Sequence, residues 1–431
     1  MRQAITVKGV RAAAAACLLT TLTVGGAHPA HAARTSVTNS LSGDIVSLSG
    51  DIVFWHAYNT TGPENIQLIT KVLPAFNKLY PNITVHSQDI PYASFLQKLV
   101  ASVAGGNGPD VVRSDIIWIP QLAKIGALTT TDDVMAKRKG EFYAAPVATT
   151  YYNGHSYGLP LDTNTRVLIY NKTLFAKAGI AQPPTTTAQF MSDATKIAKL
   201  GKNVFGYAEG GLDAWNLWPW LYSFGGSVTN ASYTKATGYL NGPKTVAALQ
   251  YLVTLKDKSL LSPSLLGGGL QTSDAMGKNQ AGMILDGPWM PPIFKATYPS
   301  LQLGLAPVPA GPDGHSASVV GGEDIVRMKS SQNAAAARAF MQFMTSSQAQ
   351  ILMGQVGQMP TLRGVAGDPT LPPYFKVFNQ QIATAAPRTI SPNYVKIDTA
   401  LTDAFNRAFR HQATAQAALD SAAAQIDPLL K

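Results

Sequence analysis

Between Asp51 and Gly126 the apolar residues switch repeatedly between strand and helix spacing, and this alternation limits the fold more than anything else in the chain. Asp51–Trp55 has the β-branched and aromatic character of a core strand. Ile66, Ile69, Leu73 and Phe76 then recur at helical spacing, with Pro63 near the start. Ile83 and Val85 alternate as a second strand. Phe95, Leu99, Val100 and Val103 make a second amphipathic helix, ended by Gly105-Gly106. Asp110–Val112 reads as a third strand, and Ile117–Ile125 as a third helix ended by Gly126. Strands alternating with helices over short links imply a parallel sheet with right-handed crossovers. In such sheets ligands sit at the carboxyl ends of the strands.

A second unit of the same kind follows. Gly158 and Pro160 punctuate a turn, and Val167–Tyr170 suits a buried strand. Asn171 can cap a short helix whose apolar face is Leu174, Phe175 and Ala178, and Gly179 supplies the positive φ that stops it. Thr186 with Gln189 predicts a capping box for a helix running to Leu200. Lys244–Lys258 is another amphipathic helix, and Gly267-Gly268-Gly269 a loop.

The run Gly154, Tyr157, Gly158, Leu159, Pro160, Tyr170, Asn171, Lys172, Phe175, Ala178, Gly179, Ile180 resembles the crossover segment of the sugar-type (family 1, maltose-binding-protein-like) bacterial extracellular solute-binding proteins. His155 stands where that family usually has Lys. Ala275-Met276, Ala281-Gly282-Met283 and Gly287-Pro288-Trp289 resemble its second crossover, and Ser318–Arg327 its return strand. Asn333–Met344 with Ser347-Gln348 resembles its late helix pair, and Gly357–Arg363 its Gly-x-x-Pro-x-x motif. The ordered set spans most of residues 50–365. The resemblance implies a two-lobed α/β fold of the periplasmic-binding-protein type (type II). Each lobe would be a mostly parallel sheet flanked by helices, with the ligand in the cleft between them. Crossovers are expected near 161–165, 280–286 and 321–325. One lobe would combine 50–163 with 286–322, and the other 164–285 with 323–431.

The amino terminus reads as a secretory signal over 1–32. Arg2, Lys8 and Arg11 precede an apolar run too short to span a membrane, and Ala30-His31-Ala32 matches a cleavage site. Cys17, the only cysteine, lies within it; a lipid anchor at Cys17 is the alternative reading. Cleavage near Ala32 would leave no disulfide and no thiolate metal site. Residues 33–49 read as a tether in which Ser40–Val46 is repeated as Ser47–Val53. The formal charge is +10, but the basic residues are scattered. Lys137-Arg138-Lys139 is their only run, so nucleic acid is not an expected partner.

Four groups of residues are candidates for binding. The loop after the first strand offers Trp55, Tyr58 and Glu64 at a helix amino end. Three tryptophans in six residues (Trp215, Trp218, Trp220) lie beside Asp213 and Asn216. Indoles stack on the C–H faces of sugar rings while polar groups bond their hydroxyls; Trp215 is the expected cleft residue and the others are candidates for the core. Trp289 corresponds to a ligand-stacking Trp by resemblance. Asp115, Asp162, Arg166, Glu323, Asp324 and Arg363 lie at strand ends or crossovers. Carboxylates outnumber arginines there, which favours a neutral polyol or a cation over phosphate.

No Gly-x-Ser-x-Gly, phosphate loop or His-Glu-x-x-His motif occurs, and the histidines are dispersed. Tyr151-Tyr152 could mark an iron(III) carrier, but the sugar-type family also carries Tyr there. By resemblance, the expected function is extracytoplasmic capture of a carbohydrate for the permease of an ABC importer, by a monomer with no cofactor and no metal. It would meet the membrane only through the permease or a lipid anchor. A polyamine or glycerophosphodiester carrier of the same fold is one alternative. A secreted carbohydrate-active enzyme using Asp213 and Glu323 is the other.

Overall fold

The computed structural model describes residues 48–431. The signal, Cys17 and the first SLSGDIV copy lie outside the described residues. The second copy runs into strand β1 (Gly50–His56), and a helical stretch follows: α1 (Pro63–Gln67), a π-turn (Leu68–Val72) and α2 (Leu73–Leu79). Glu64, Leu68, Val72, Phe76 and Tyr80 are buried, a constant spacing of four. On a helix of 3.6 residues per turn each such step drifts by about 40°, so the stripe would rotate off the sheet. The wider π-turn absorbs that drift. Pro74 explains its place, because it has no N–H to offer the carbonyl of Thr70. The predicted apolar face is therefore only half right. Phe76 is buried, but Ile66 and Ile69 are 53% and 50% exposed.

β2 (Ile83–Asp89) and β3 (Val111–Asp115) flank β1 in parallel, linked by α3 (Tyr92–Ala104), after which Gly106 turns the chain at φ 73°. β4 (Gly158–Thr165) and β5 (Val167–Asn171) are separated by Arg166 alone, and there the chain passes from one sheet into another. Asn171 caps the next helix as expected, its Oδ1 accepting from Leu174 N at 3.1 Å. Thr186 caps α4 (Thr187–Ala198) by accepting from Gln189 N at 3.2 Å; Gln189 Oε1 in return accepts from Thr185 N at 2.8 Å. β6 (Phe205–Tyr207), α5 (Ala214–Ser223), β7 (Ala281–Asp286) and β8 (Leu303–Ala306) complete the second sheet and its cover. β9 (Ser318–Arg327) returns to the first sheet. α6 (Ala334–Met344), β10 (Met359–Pro360), β11 (Ala385–Pro387), α7 (Tyr394–Phe409) and α8 (Ala415–Ile426) follow.

The first sheet has the order β10-β4-β9-β3-β1-β2, with β11 also beside β9; the second has the order β8-β5-β7-β6. Parallel pairing covers β1 with β2 and β3, β9 with β11, and β6 with β7, while β4, β5 and most of β9 pair antiparallel. β3 and β11 share one edge of β9: Glu323 stands opposite Asp115, and Val320 opposite Pro387. Their carboxyl ends therefore converge.

Two expected boundaries need correction. No crossing occurs at 280–286, because β7 and β8 both pair with β5 and hold residues 281–306 in the second sheet. The return strand does not divide at 323 either. Residues 323–327 pair with β3, and α6 packs on β1, with Phe340 5.1 Å from Phe54 and 5.2 Å from Phe76 between ring centroids. Trp218 and Trp220 are fully buried with α7 and α8 in the core of the second sheet.

Gly206 lies against α4 so closely that a Cβ would come 2.3 Å from Ala194 Cα. Gly206→Ala is expected to destabilise the protein by at least about 2 kcal/mol, whereas Gly140→Ala, where nothing lies within 4 Å, leaves it near wild type. Urea denaturation of both variants measures the difference.

Candidate functional site

Arg166 sits at the passage between the sheets, and its guanidinium is buried. It donates to Glu209 Oε1 (2.8 Å), to the carbonyl of Leu285 on β7, and to the carbonyls of Trp215 (3.1 Å) and Asn216 (2.6 Å). The Trp215 carbonyl is open because of Pro219 inside α5. Proline has no N–H for the carbonyl four residues back, which is that of Trp215, and its ring crowds the same turn. Arg166 supplies the missing donor there and so fixes α5 against the crossing strand. Glu209 is held in turn by the Tyr207 hydroxyl, which accepts from Trp220 Nε1 at 3.1 Å. Trp220 is therefore part of the support and not of the cleft.

α5 presents Trp215 between the two sheets. Asp213 caps the helix, its Oδ1 accepting from Asn216 N at 3.2 Å and its Oδ2 from Asn216 Nδ2 at 2.6 Å. The Trp215 ring stacks on Trp289 (6.1 Å between centroids, 28° between planes), and Arg388 lies 5.5 Å from its centre. A Cβ on Gly321 of β9 would meet this ring at 2.6 Å, so glycine there is what lets the crossing strand approach the indole.

On the first sheet, Arg113 of β3 gathers three partners. Its Nη2 donates to Asp162 Oδ2 (3.2 Å) and Gln358 Oε1 (3.0 Å), and lies 2.8 Å from Glu323 Oε2 in an ion pair poorly aligned for a hydrogen bond. The Tyr58 ring lies beneath the guanidinium at 4.4 Å. Burial raises the Glu323 carboxyl well above its usual range, and Asp162 pushes it the same way against the pull of Arg113. Glu64, on the buried stripe of α1, is raised by burial too, and its Oε2 has no hydrogen-bond partner. Burial, helped by Arg113, lowers His56 to about 3, so its imidazole is neutral. Where β3 and β11 converge, Arg388 forms a buried pair with Asp115 (2.7 and 3.3 Å), and Tyr92 donates to Asp115 Oδ2 at 2.6 Å.

The structure thus brings Tyr58, Glu64, Asp115, Asp162, Arg166, Trp215, Trp289 and Glu323 into one region between the sheets, with Asp213 and Asn216 at its edge. It leaves out three expected residues. Trp55 points to the other face of β1, packs edge-on against Phe95 at 6.2 Å and donates to Gln88. Arg363 is exposed and donates to the carbonyl of Phe142. Asp324 faces away, toward Thr149 at 3.3 Å, beyond a bulge next to Glu323. Arg113, Glu209, Gln358 and Arg388 escaped the sequence reading. A cation inside Val111–Asp115 was a usable sign for Arg113, since a buried strand cation needs a buried partner; Arg388 carried no such sign.

Residues 62–351 match the family of bacterial extracellular solute-binding proteins, and the chain belongs to that family. It is similar to a putative binding protein of Brucella abortus (strain 2308), 27% identical over 63% of this chain and 66% of the relative. It is similar to the arabinooligosaccharide-binding protein of Bacillus subtilis (strain 168), 25% identical over 69% and 70% of the two chains. Among solved structures it resembles an ABC transporter solute-binding protein from Thermotoga lettingae TMO bound with alpha-D-tagatose: 25% identity, a TM-score of 0.80, and coverage of 89% of this chain and 100% of that one. The chain thus spans just under two thirds of the first of these relatives.

Arg388→Ala would leave Asp115 buried and unpaired, and is expected to destabilise by about 3–5 kcal/mol; Arg388→Met with Asp115→Leu should cost less. Guanidinium denaturation reads both. Asp398 accepts from Ala214 N at 2.8 Å, and burial raises its carboxyl to about 6 from 3.8. A raised carboxyl contributes stability that is full below about pH 4 and lost as pH rises through about 6. Asp398→Asn is therefore expected to flatten the stability profile between those values and to raise the melting temperature at pH 7.

Proposed function

We propose that the protein captures a carbohydrate outside the cytoplasm and delivers it to the permease of an ABC importer. The observation that carries this reading is the pairing of half-buried Trp215 and Trp289, from the second sheet, with the carboxylate-rich group around Arg113 on the first. Indole faces suit the C–H faces of a sugar, and buried carboxylates and amides suit its hydroxyls. Membership of a family of solute-binding proteins supports it, as do relatives named for binding arabinooligosaccharides and seen with tagatose.

In this reading the two sheets are the cores of two lobes, β4 and β9 are the strands about which they hinge, and closure around the ligand is what the permease recognises. Tyr58, Glu64, Asp115, Asp162, Trp215, Trp289 and Glu323 contact the ligand or close around it; Arg166, Asp213 and Asn216 position Trp215. The protein acts as a monomer, without cofactor or metal, and leaves the cytoplasm by the leader at its amino terminus. No helix among the described residues is long and apolar enough to cross a membrane. Catalysis is not part of this function. Both Asp213 oxygens are engaged by Asn216, Glu323 is half-buried beside Arg113 and Asp162, and His56 is held neutral.

Thermal shift against sugars, polyamines and glycerophosphodiesters tests the reading, because a ligand of the folded state raises the melting temperature by mass action. A rise with one sugar class is expected, and in calorimetry Trp215→Ala should weaken that sugar at least about tenfold, near 1.4 kcal/mol. A rise with polyamines or phosphodiesters alone would keep the fold and overturn the ligand.

A further inference from the structure

We infer that the protein carries a second binding site, for a small oxyanion such as a phosphate or a carboxylate, in a cavity at the far end of the first sheet. The cavity holds about 270 Å³ and is lined from β9, α6 and the short helix Asp132–Arg138. It is separate from the site between the sheets. Along β9, Glu323 stands opposite Asp115, and Arg327 stands opposite Val111 at the other end of β3. Four residues of strand, at about 3.3 Å each, put those two ends about 13 Å apart. The inference therefore does not depend on the carbohydrate reading.

The charged side chains that line the cavity are Arg327, Arg338 and Asp133. Arg338 and Asp133 satisfy each other at 2.5 Å, and that bond lowers the Asp133 carboxyl. Arg327 is different. Among the described residues no carboxylate and no hydrogen-bond acceptor reaches its half-buried side chain. Its backbone is held, because its carbonyl accepts from Thr129 N at 3.1 Å. Val134, Leu159 and Met341, which line the same cavity, are buried and apolar. A cation partly withdrawn from water beside such groups needs a counter-charge. Two guanidiniums and one carboxylate leave the cavity with one positive charge in excess, and a guanidinium matches the oxygens of a phosphate or carboxylate in pairs. Thr130 adds a hydroxyl at the rim. Ala334 and Ala335, the first residues of α6, contribute only methyl groups and leave room. Their N–H groups have no acceptor within the helix, and Asn333, which could have capped it, donates its amide to the Asp51 carbonyl at 2.6 Å instead. The volume falls just below the roughly 300–1000 Å³ of sites for drug-sized ligands, which suits a small acid and not a nucleotide.

The test is thermal shift and titration calorimetry on the protein, without sugar, using sodium phosphate, sulfate, succinate and citrate. Each is compared with sodium chloride at equal ionic strength, which removes general screening. At least one oxyanion is expected to bind saturably and to raise the melting temperature above the chloride control. Arg327→Met keeps an unbranched apolar side chain and should weaken that oxyanion at least about tenfold. In chloride the same variant should melt no lower than wild type, because it removes a cation that has no partner. Asp133→Asn frees Arg338 and should tighten binding roughly threefold, while Arg363→Met, on an exposed arginine elsewhere, should leave it unchanged. Preference for succinate and citrate marks a carboxylate site and preference for phosphate and sulfate a phosphate site; either supports the inference. No oxyanion distinguishable from chloride, or binding that survives Arg327→Met, would overturn it.

Discussion

The arrangement between the sheets depends on one guanidinium buried where the chain passes from the first into the second. Arg166 separates β4 from β5, and it bonds at once to a carboxylate, to a strand carbonyl on β7 and to two helix carbonyls, that of Trp215 left open by Pro219 and that of Asn216 beside it. A proline inside a helix ordinarily weakens it. Here the loss on α5 becomes a docking point, and the helix end that carries Trp215 is tied to the strand crossing. An indole free to shift would give poor stacking with any ring. This one is held through its own backbone by a cation that also sits 5.9 Å from its face.

The first sheet uses the same device with different groups. Arg113 neutralises part of a carboxylate cluster that burial would otherwise force to protonate, and Arg388 closes the gap between two strand ends by pairing with Asp115. Ion pairs of this depth contribute little net stability, because desolvation offsets their attraction. Their worth is geometric. Each fixes a polar group within a region whose apolar surfaces, the Trp215 and Trp289 rings, set no direction of their own.

Much of this fold can be read from the sequence, because local rules and tertiary packing agree. The strand and helix spacing of residues 51–126, the caps at Asn171 and Thr186, and the positive φ at Gly106, Gly126 and Gly179 all follow from chemistry within a few residues. What could not be read depends on contacts between distant segments. The membership of β8 is settled by its pairing with residues 168–171, and nothing within Leu303–Ala306 specifies that. Arg388 lies in a loop, and its partner is far away on another strand. In the site, Trp215 was legible because a tryptophan beside polar residues and a proline is unusual. Trp55 misled because its side chain points to the opposite face of the same strand.

The π-turn at Leu68–Val72 gives the first helical stretch the behaviour of a camshaft. Glu64 is timed to the core by a spacing of four that only the widened turn keeps in phase. Loss of one residue within that turn would restore an ordinary helix and advance everything before it by about 100°. Ile66 and Ile69 would rotate toward the sheet, and Glu64 out of its place beside Arg113. The core would still find apolar side chains to bury, so such a deletion would uncouple the site from the stability of the lobe that carries it. In this segment, chain length governs chemistry more tightly than it governs folding.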